Sequence, residues 1–280
     1  MYYLFLLGRW LAILLPRKIS YLLASIIAKI KFLFSRKDKK NLIYNLLPIL
    51  KNKKTAYRCA KKIVENFAYY LVDFFRFSKI DFRFIEKYVK LIGIELLQNL
   101  IKENKKIIAL TAHLGNYELG GALTSILGYK VYAVALPHKD QRTNSFFNHQ
   151  REVCGVEVTS TGIGIKKCFQ ALNRKKILAL LGDRDFSRKG KKVKMFGKTC
   201  ILPRGAANFS LKTDAYIIPS FLIRENKYTY SLIFDTPISP YQGNKKKSEE
   251  EIIQECAKIL EKYIARYPEQ WYMFEKYWIE

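Results

Sequence analysis

Acidic residues are nearly missing from the first quarter of this chain: before Glu65 a single acid, Asp38, stands among fifteen Lys and Arg. A buried helical hairpin whose lysines merely snorkel does not account for that imbalance. Cysteine is sparse and scattered (Cys59, Cys154, Cys168, Cys200, Cys256) with no C-x-x-C pair. That pattern excludes a zinc framework and a disulfide scaffold and suits a reducing compartment. Three histidines are present, and His138 and His149 make no ligand spacing with His113. No apolar run reaches the roughly 20 clean residues of a spanning helix. Met1 to Leu15 is broken by Arg9 and closed by Pro16-Arg17-Lys18, and Ile19 to Phe34 is broken by Lys29 and Lys31. No basic leader or small-residue cleavage site accompanies the first run, so no secretory signal is expected. The G-x-S-x-G elbow, the Walker A sequence and H-E-x-x-H are all missing, as are repeats and low-complexity segments.

What is present is charge of one sign and a large apolar fraction. The 50 Lys and Arg against 24 Asp and Glu leave +26, while half of the 280 residues are apolar. The first predicts an anionic partner and the second a substantial core. Apolar helices edged with cations describe a segment lying among the headgroups of an anionic leaflet. Residues 1–54 are therefore expected to be a membrane-associated helical region, and residues 55–280 the main domain.

Helical periodicity covers Thr55 to Phe77, through Ala60, Ile63, Val64, Phe67, Leu71, Phe74 and Phe75. Short helices are predicted over Leu96 to Glu103, Tyr117 to Leu127, Thr143 to Cys154 and Ile165 to Asn173. A long one is predicted over Ser248 to Tyr267. Between them, Lys130 to Leu136, Val156 to Ser160 and Ile177 to Leu181 read as strands. Ala215 to Arg224 and Tyr228 to Phe234 read as a terminal strand pair around Glu225-Asn226. Such alternation is the signature of an α/β fold with a largely parallel central sheet flanked by helices.

The chain is organised around Ile107-Ile108-Ala109-Leu110-Thr111-Ala112-His113-Leu114-Gly115-Asn116-Tyr117-Glu118. An apolar strand ends at His113, and a helix begins after a Gly-Asn turn with Asn116 as its N-cap. The carboxyl end of a strand is where ligands bind in open α/β sheets. On one continuous helix His113 and Glu118 would stand roughly 140° apart. Across a strand–turn–helix junction they can face each other. The pair then reads as a general base, with the ordinary imidazole pKa near 6.5, and the carboxylate that orients it. The plain alternative is that Glu118 complements its helix dipole.

A second block follows the strand ending at Leu181. Gly182-Asp183-Arg184-Asp185 opens a cationic stretch reaching Arg204, with eight Lys or Arg and two Asp. A loop of this kind beside His113 would receive phosphates or an acidic protein through Arg184, Lys191, Lys192, Lys194 and Arg204, unless it is merely a solvated surface. Pro203-Arg204-Gly205 opens a helix whose start could receive an anion. Gly162-Ile163-Gly164 is a weak phosphate-loop lookalike.

These blocks together resemble the bacterial lipid A biosynthesis acyltransferases, the late lauroyl/myristoyl-type transferases of the glycerolipid acyltransferase superfamily. The likeness runs from Gly8 to Pro48, through Gly93 to Gly121, to Asp183 and the stretch Val193 to Arg204. It continues through Ala215 to Arg224 and ends in Pro268-Glu269-Gln270-Trp271 with the aromatic tail. Departures are Tyr117 in place of the more frequent Trp, and Glu275-Lys276-Tyr277 before the last Trp.

The resemblance implies transfer of a fatty acyl chain from acyl carrier protein to a hydroxyl of a lipid A precursor, at the cytoplasmic face of the inner membrane. Another glycolipid or lysophospholipid, such as a phosphoinositide mannoside, is the alternative acceptor. It implies His113 as general base, Glu118 as its orienter, and Arg151 and Asp183 as further catalytic residues. Donors to the oxyanion would come from Arg151 or from backbone N–H groups near Gly115-Asn116, where the Asn116 side chain would also meet substrate. No metal or other cofactor is needed, because a thioester yields to a deprotonated hydroxyl. An acidic carrier protein, an acidic glycolipid and an anionic membrane surface all suit the positive charge. A nucleic-acid-binding protein is the competing class, weakened because the cations accompany apolar helices and no nucleic-acid fold signature is present. A non-catalytic membrane-associated homologue is the third, and the intact His113/Glu118 pair speaks against it.

Overall fold

The computed structural model describes residues 2–160, 164–186 and 189–279. Among these residues the apolar runs build a seven-stranded sheet in the order β1 (Val89–Ile92), β9 (Tyr230–Phe234), β8 (Tyr216–Arg224), β2 (Ile107–Thr111), β5 (Ile177–Leu181), β3 (Val131–Ala135) and β4 (Glu157–Ser160). Each neighbouring pair is parallel except β8 with β9. The expected α/β architecture is therefore present, with one difference. The β8–β9 hairpin does not end the sheet, because β1 adds to it parallel to β9. A strand of four residues with alternating half-burial carries too little pattern to stand out in a sequence.

Helices cover both faces, which is why the central strands read as continuous apolar runs. Alternate residues of β2 part to opposite sides. Ile108 and Leu110 meet a cluster with α9 (Ile165–Asn173), α10 (Gly205–Thr213) and α11 (Glu249–Arg266). Ile107 and Ala109 meet α4 (Lys53–Phe75), α6 (Ile94–Lys102) and α7 (Tyr117–Ile126), with α5 (Phe82–Tyr88) and α8 (Gln141–Glu152) in the same cluster. The starts of α4 and α11 are capped by side chains. Asn52 accepts from Thr55 N–H, and Ser248 with Glu251 forms a capping box.

Preceding these are α1 (Tyr2–Leu14), α2 (Arg17–Phe34) and α3 (Arg36–Leu50). Small and aromatic residues of α2 (Tyr21, Ala24, Ala28, Phe32) are buried in clusters shared with α4. The other side of α2 presents Leu22, Leu23, Ile26, Ile27, Ile30 and Leu33 to the outside, and α1 presents Tyr3, Leu4, Leu7, Trp10 and Leu14. Among the described residues no helix is long and apolar enough to cross a membrane.

The cationic stretch after β5 is a hairpin and not a loop. It is formed by β6 (Lys191–Met195) and β7 (Lys198–Leu202), joined at Phe196-Gly197 with φ of 51° and 73°. Lys191, Lys192 and Lys194 are exposed while Val193, Met195, Cys200 and Leu202 enter the core, so its cations mask a two-sided strand pattern. A second small hairpin, β10 (Tyr241–Gln242) with β11 (Lys245–Lys246), precedes α11. The Gly162-Ile163-Gly164 lookalike falls, apart from Gly164, outside the described residues.

Candidate active site

His113 follows the carboxyl end of β2, a central strand flanked by β8 and β5. The turn after it is held by backbone. Tyr272 N–H donates to His113 O, Gly115 N–H to Gln270 O and Asn116 N–H to Leu222 O, at 2.7, 2.9 and 2.8 Å. Gly115 has φ of +63°, and a Cβ there would lie 2.1 Å from the Leu222 carbonyl, so glycine is required. Asn116 caps α7 by accepting from Leu119 N–H at 3.2 Å. Its amide donates to Asp73 Oδ2 at 3.1 Å.

The carboxylate on the imidazole is Asp183, not Glu118. Asp183 Oδ1 lies 2.8 Å from His113 Nδ1, and Oδ2 accepts His113 N–H at 3.0 Å and Trp271 Nε1–H at 3.1 Å. Asp183 is fully buried. Burial by itself would raise its carboxyl, but His113 and the Trp271 indole hold it below the ordinary carboxylate value. An ionised Asp183 requires the hydrogen on Nδ1 and leaves Nε2 with its lone pair. The His113 side chain keeps 16 % of its surface, and its Nε2 has no hydrogen-bond partner among the described residues.

Glu118 instead binds Arg151 in a bidentate pair of 2.8 and 2.6 Å. The first turn of α7 aims Glu118 toward α8, and a guanidinium fork matches its carboxylate. Burial would lower the Arg151 guanidinium, but Glu118 outweighs it and the net direction is up. Tyr117 stands between the two pairs. Its ring is 5.4 Å from that of His113, its hydroxyl is 3.1 Å from Tyr70, and burial with Glu118 pushes its phenol upward.

A narrow cavity of about 50 Å³ runs from Thr111 and Tyr117 between α7 and the sheet, past Gly120, Gly121, Thr124 and Leu222. A Cβ on Gly121 would meet nothing within 4 Å, so α7 leaves this space unfilled. Thr111 Oγ1 is buried without a hydrogen-bond partner among the described residues. The volume suits a few water-sized groups.

The sequence profile described as "Bacterial lipid A biosynthesis acyltransferase" matches residues 1–280. The chain belongs to that family. It is an O-acyltransferase, and its relatives are acyltransferases. It is similar to the phosphatidylinositol mannoside acyltransferase of Mycolicibacterium smegmatis (strain ATCC 700084 / mc(2)155), at 24 % identity over 76 % of this chain and 70 % of that protein. It is likewise similar to the protein of that name from Mycobacterium tuberculosis (strain ATCC 25618 / H37Rv), at 22 % over 77 % and 69 %.

Other residues expected at this acyltransferase's site are placed as follows. Asn116 is 1 % exposed and spends its side chain on the helix cap and Asp73, so it shapes the turn from within. The N–H groups of Gly115 and Asn116 are committed to protein carbonyls, which corrects their assignment as oxyanion donors. Arg184 pairs with Glu275, one of the tail residues that depart from the family, and stacks on Phe186. Arg204 is held by Glu249 at 2.5 and 2.6 Å, at the start of α11.

The residue that the sequence reading missed is Asp73 in α4, 1 % exposed. It accepts from Tyr21, Tyr230, Arg17, Arg224 and Asn116, and so ties α2, β8 and β9 to the cap of α7. The signal was available: a lone acid inside Tyr69-Tyr70-Leu71-Val72-Asp73-Phe74-Phe75, where burial of a charge demands partners.

Proposed function

We propose that the protein transfers a fatty acyl chain from the thioester of acyl carrier protein to a hydroxyl of a membrane glycolipid, with His113 as general base. The observation that carries this is the Asp183–His113 pair at the end of β2, with no partner on Nε2 among the described residues. The acceptor hydroxyl gives its proton to Nε2 as its oxygen bonds the thioester carbonyl carbon. The C–S bond then breaks and the proton passes from the imidazolium to the leaving sulfur. Arg151 has five N–H donors and places three of them on Glu118 and Asn148, which leaves two that can face the developing oxyanion. The cavity beside Thr111 and Gly121 is the start of an acyl slot, and side chains must move to admit a whole chain.

A lipid A precursor is the acceptor that the family's description favours. The mannoside relatives favour a second reading, in which another anionic glycolipid takes its place. Purified protein incubated with acyl carrier protein or coenzyme A thioesters, and with either acceptor, separates these readings by product mass. No transfer to any glycolipid hydroxyl would refute the proposal, and so would full activity of His113→Ala.

The protein works at the surface of the inner membrane, on its cytoplasmic side. The outward apolar rows of α1 and α2 and the fifteen flanking cations support this attachment. Deletion of residues 1–34 should shift the protein into the soluble fraction. Retention of the shortened protein at high salt would refute it.

A further inference from the structure

Helices α1 and α8 enclose a cleft of about 510 Å³ lined by Tyr2, Leu6, Arg9, Arg142, Ser145 and His149 among others. Gln150, fully buried, fixes one wall: its amide donates to Phe74 O at 2.9 Å and its Oε1 accepts from Arg9 Nε at 3.0 Å. The terminal nitrogens of Arg9 have no acceptor among the described residues. Also on α8, the Arg142 guanidinium lies 5.3 Å from the centre of the Tyr2 ring of α1. Its Nε is 3.5 Å from Asp140, whose other oxygen takes the Thr143 hydroxyl. Asp140 is the acid at this rim. The cleft thus gathers two guanidinium ends, a hydroxyl and an imidazole, with one carboxylate already shared.

Its surroundings define the ligand further. Tyr2, Leu6 and Arg9 share one side of α1, and Tyr3, Leu7 and Trp10 lie one residue further round, exposed. An amphipathic anion would place its charge in the cleft and its apolar part along that exposed row. A nucleic acid or an acidic peptide has no use for the row. We propose that this cleft binds the phosphate of an anionic phospholipid headgroup, separately from the His113 centre. The inference rests on the membrane attachment proposed above and adds a lipid-selective site to it.

Full-length protein is titrated with vesicles of phosphatidylcholine alone or mixed with phosphatidylglycerol, and binding is read by sedimentation. Replacing Arg9, Arg142 and His149 with Gln should leave binding to phosphatidylcholine as it was and remove about 10-fold or more of the preference for phosphatidylglycerol. A cation near the surface contributes about 1 kcal/mol, so loss of two predicts up to about 30-fold. Lys166→Gln with Lys167→Gln, which removes two charges on α9, should keep the preference. Arg142→Glu alone, at an exposed position, should also lose it.

An unchanged preference in the triple variant, or an equal loss in the α9 control, overturns the proposal. Glycerol 3-phosphate without vesicles is the second arm, read through Trp10 fluorescence. A saturable response, with lipid preference indifferent to the triple substitution, would reassign the cleft to soluble phosphates and overturn the lipid source. Failure of wild type to bind either vesicle refutes the membrane attachment itself, a result distinct from binding without selectivity.

Discussion

Two buried carboxylates flank the turn that carries His113, and they are built to different ends. Asp73 receives donors from two arginines, two tyrosines and Asn116, and the arginines are held in turn by Tyr228 O and Lys227 O. Asp183 receives His113 and Trp271, and its imidazole keeps a nitrogen with no partner among the described residues. A closed network in a low-dielectric interior holds elements in place, because any break strands a charge. An open one leaves a lone pair that substrate can use. Substitutions should therefore separate stability from rate.

The largest effect on rate is expected from His113→Ala. Its kcat per folded molecule should fall on the order of 10²–10⁴-fold. Wild-type kcat in this variant would erase the contrast. Asp183→Asn should lose about 10²-fold or more, because the amide no longer selects the Nε2-basic tautomer. Asp183 also carries a pH signature. Since its folded carboxyl lies below the ordinary 3.8, its contribution to stability is present above that value and is lost as pH falls through the depressed one. Unfolding measured from pH 6 down to pH 2 should show a flatter acid loss in Asp183→Asn than in wild type.

Asp73→Ala should act on the other side of the comparison. Removing the shared partner of Arg17 and Arg224 should cost about 3–5 kcal/mol in denaturant unfolding. Activity per folded molecule should fall far less than in His113→Ala. The reverse pattern would make Asp73 part of the chemistry.

The Glu118–Arg151 pair gives a smaller coupling. Glu118→Gln and Arg151→Gln together should be little worse than either alone, with a coupling of roughly 0.5–3 kcal/mol. Glu118→Gln and His113→Ala should combine multiplicatively, since Glu118 is bonded to a different partner. The smallest effect belongs to the outward face of β6. Lys191, Lys192 and Lys194 changed to Glu should raise one KM severalfold and flatten its salt dependence, attraction there being screened over about 10 Å at 0.1 M salt. Unchanged KM values would leave these lysines a solvated surface.

Much of the fold was legible because local patterns and tertiary roles coincide. Ile177–Leu181 and Ile165–Asn173 have the bounds that their periodicity predicts, and Asn116 caps the helix that it precedes. The β6–β7 hairpin was not legible. Three exposed lysines hide the alternation of Val193 and Met195, and a charge run reads the same on a strand as on a loop.

The candidate site divides along the same line. Sequence determined that His113 follows a strand beside a glycine turn, that Asp183 follows another strand, and that the N-terminal helices carry many cations and a single acid. These are local facts of spacing and composition. Which carboxylate meets His113 was decided only by the packed sheet. Parallel pairing of β2 with β5 brings Asp183, 70 residues away, against Nδ1, while the first turn of α7 swings Glu118 to Arg151. A hydrogen bond depends on position in space, and five residues of sequence separation across a turn leave that position undetermined.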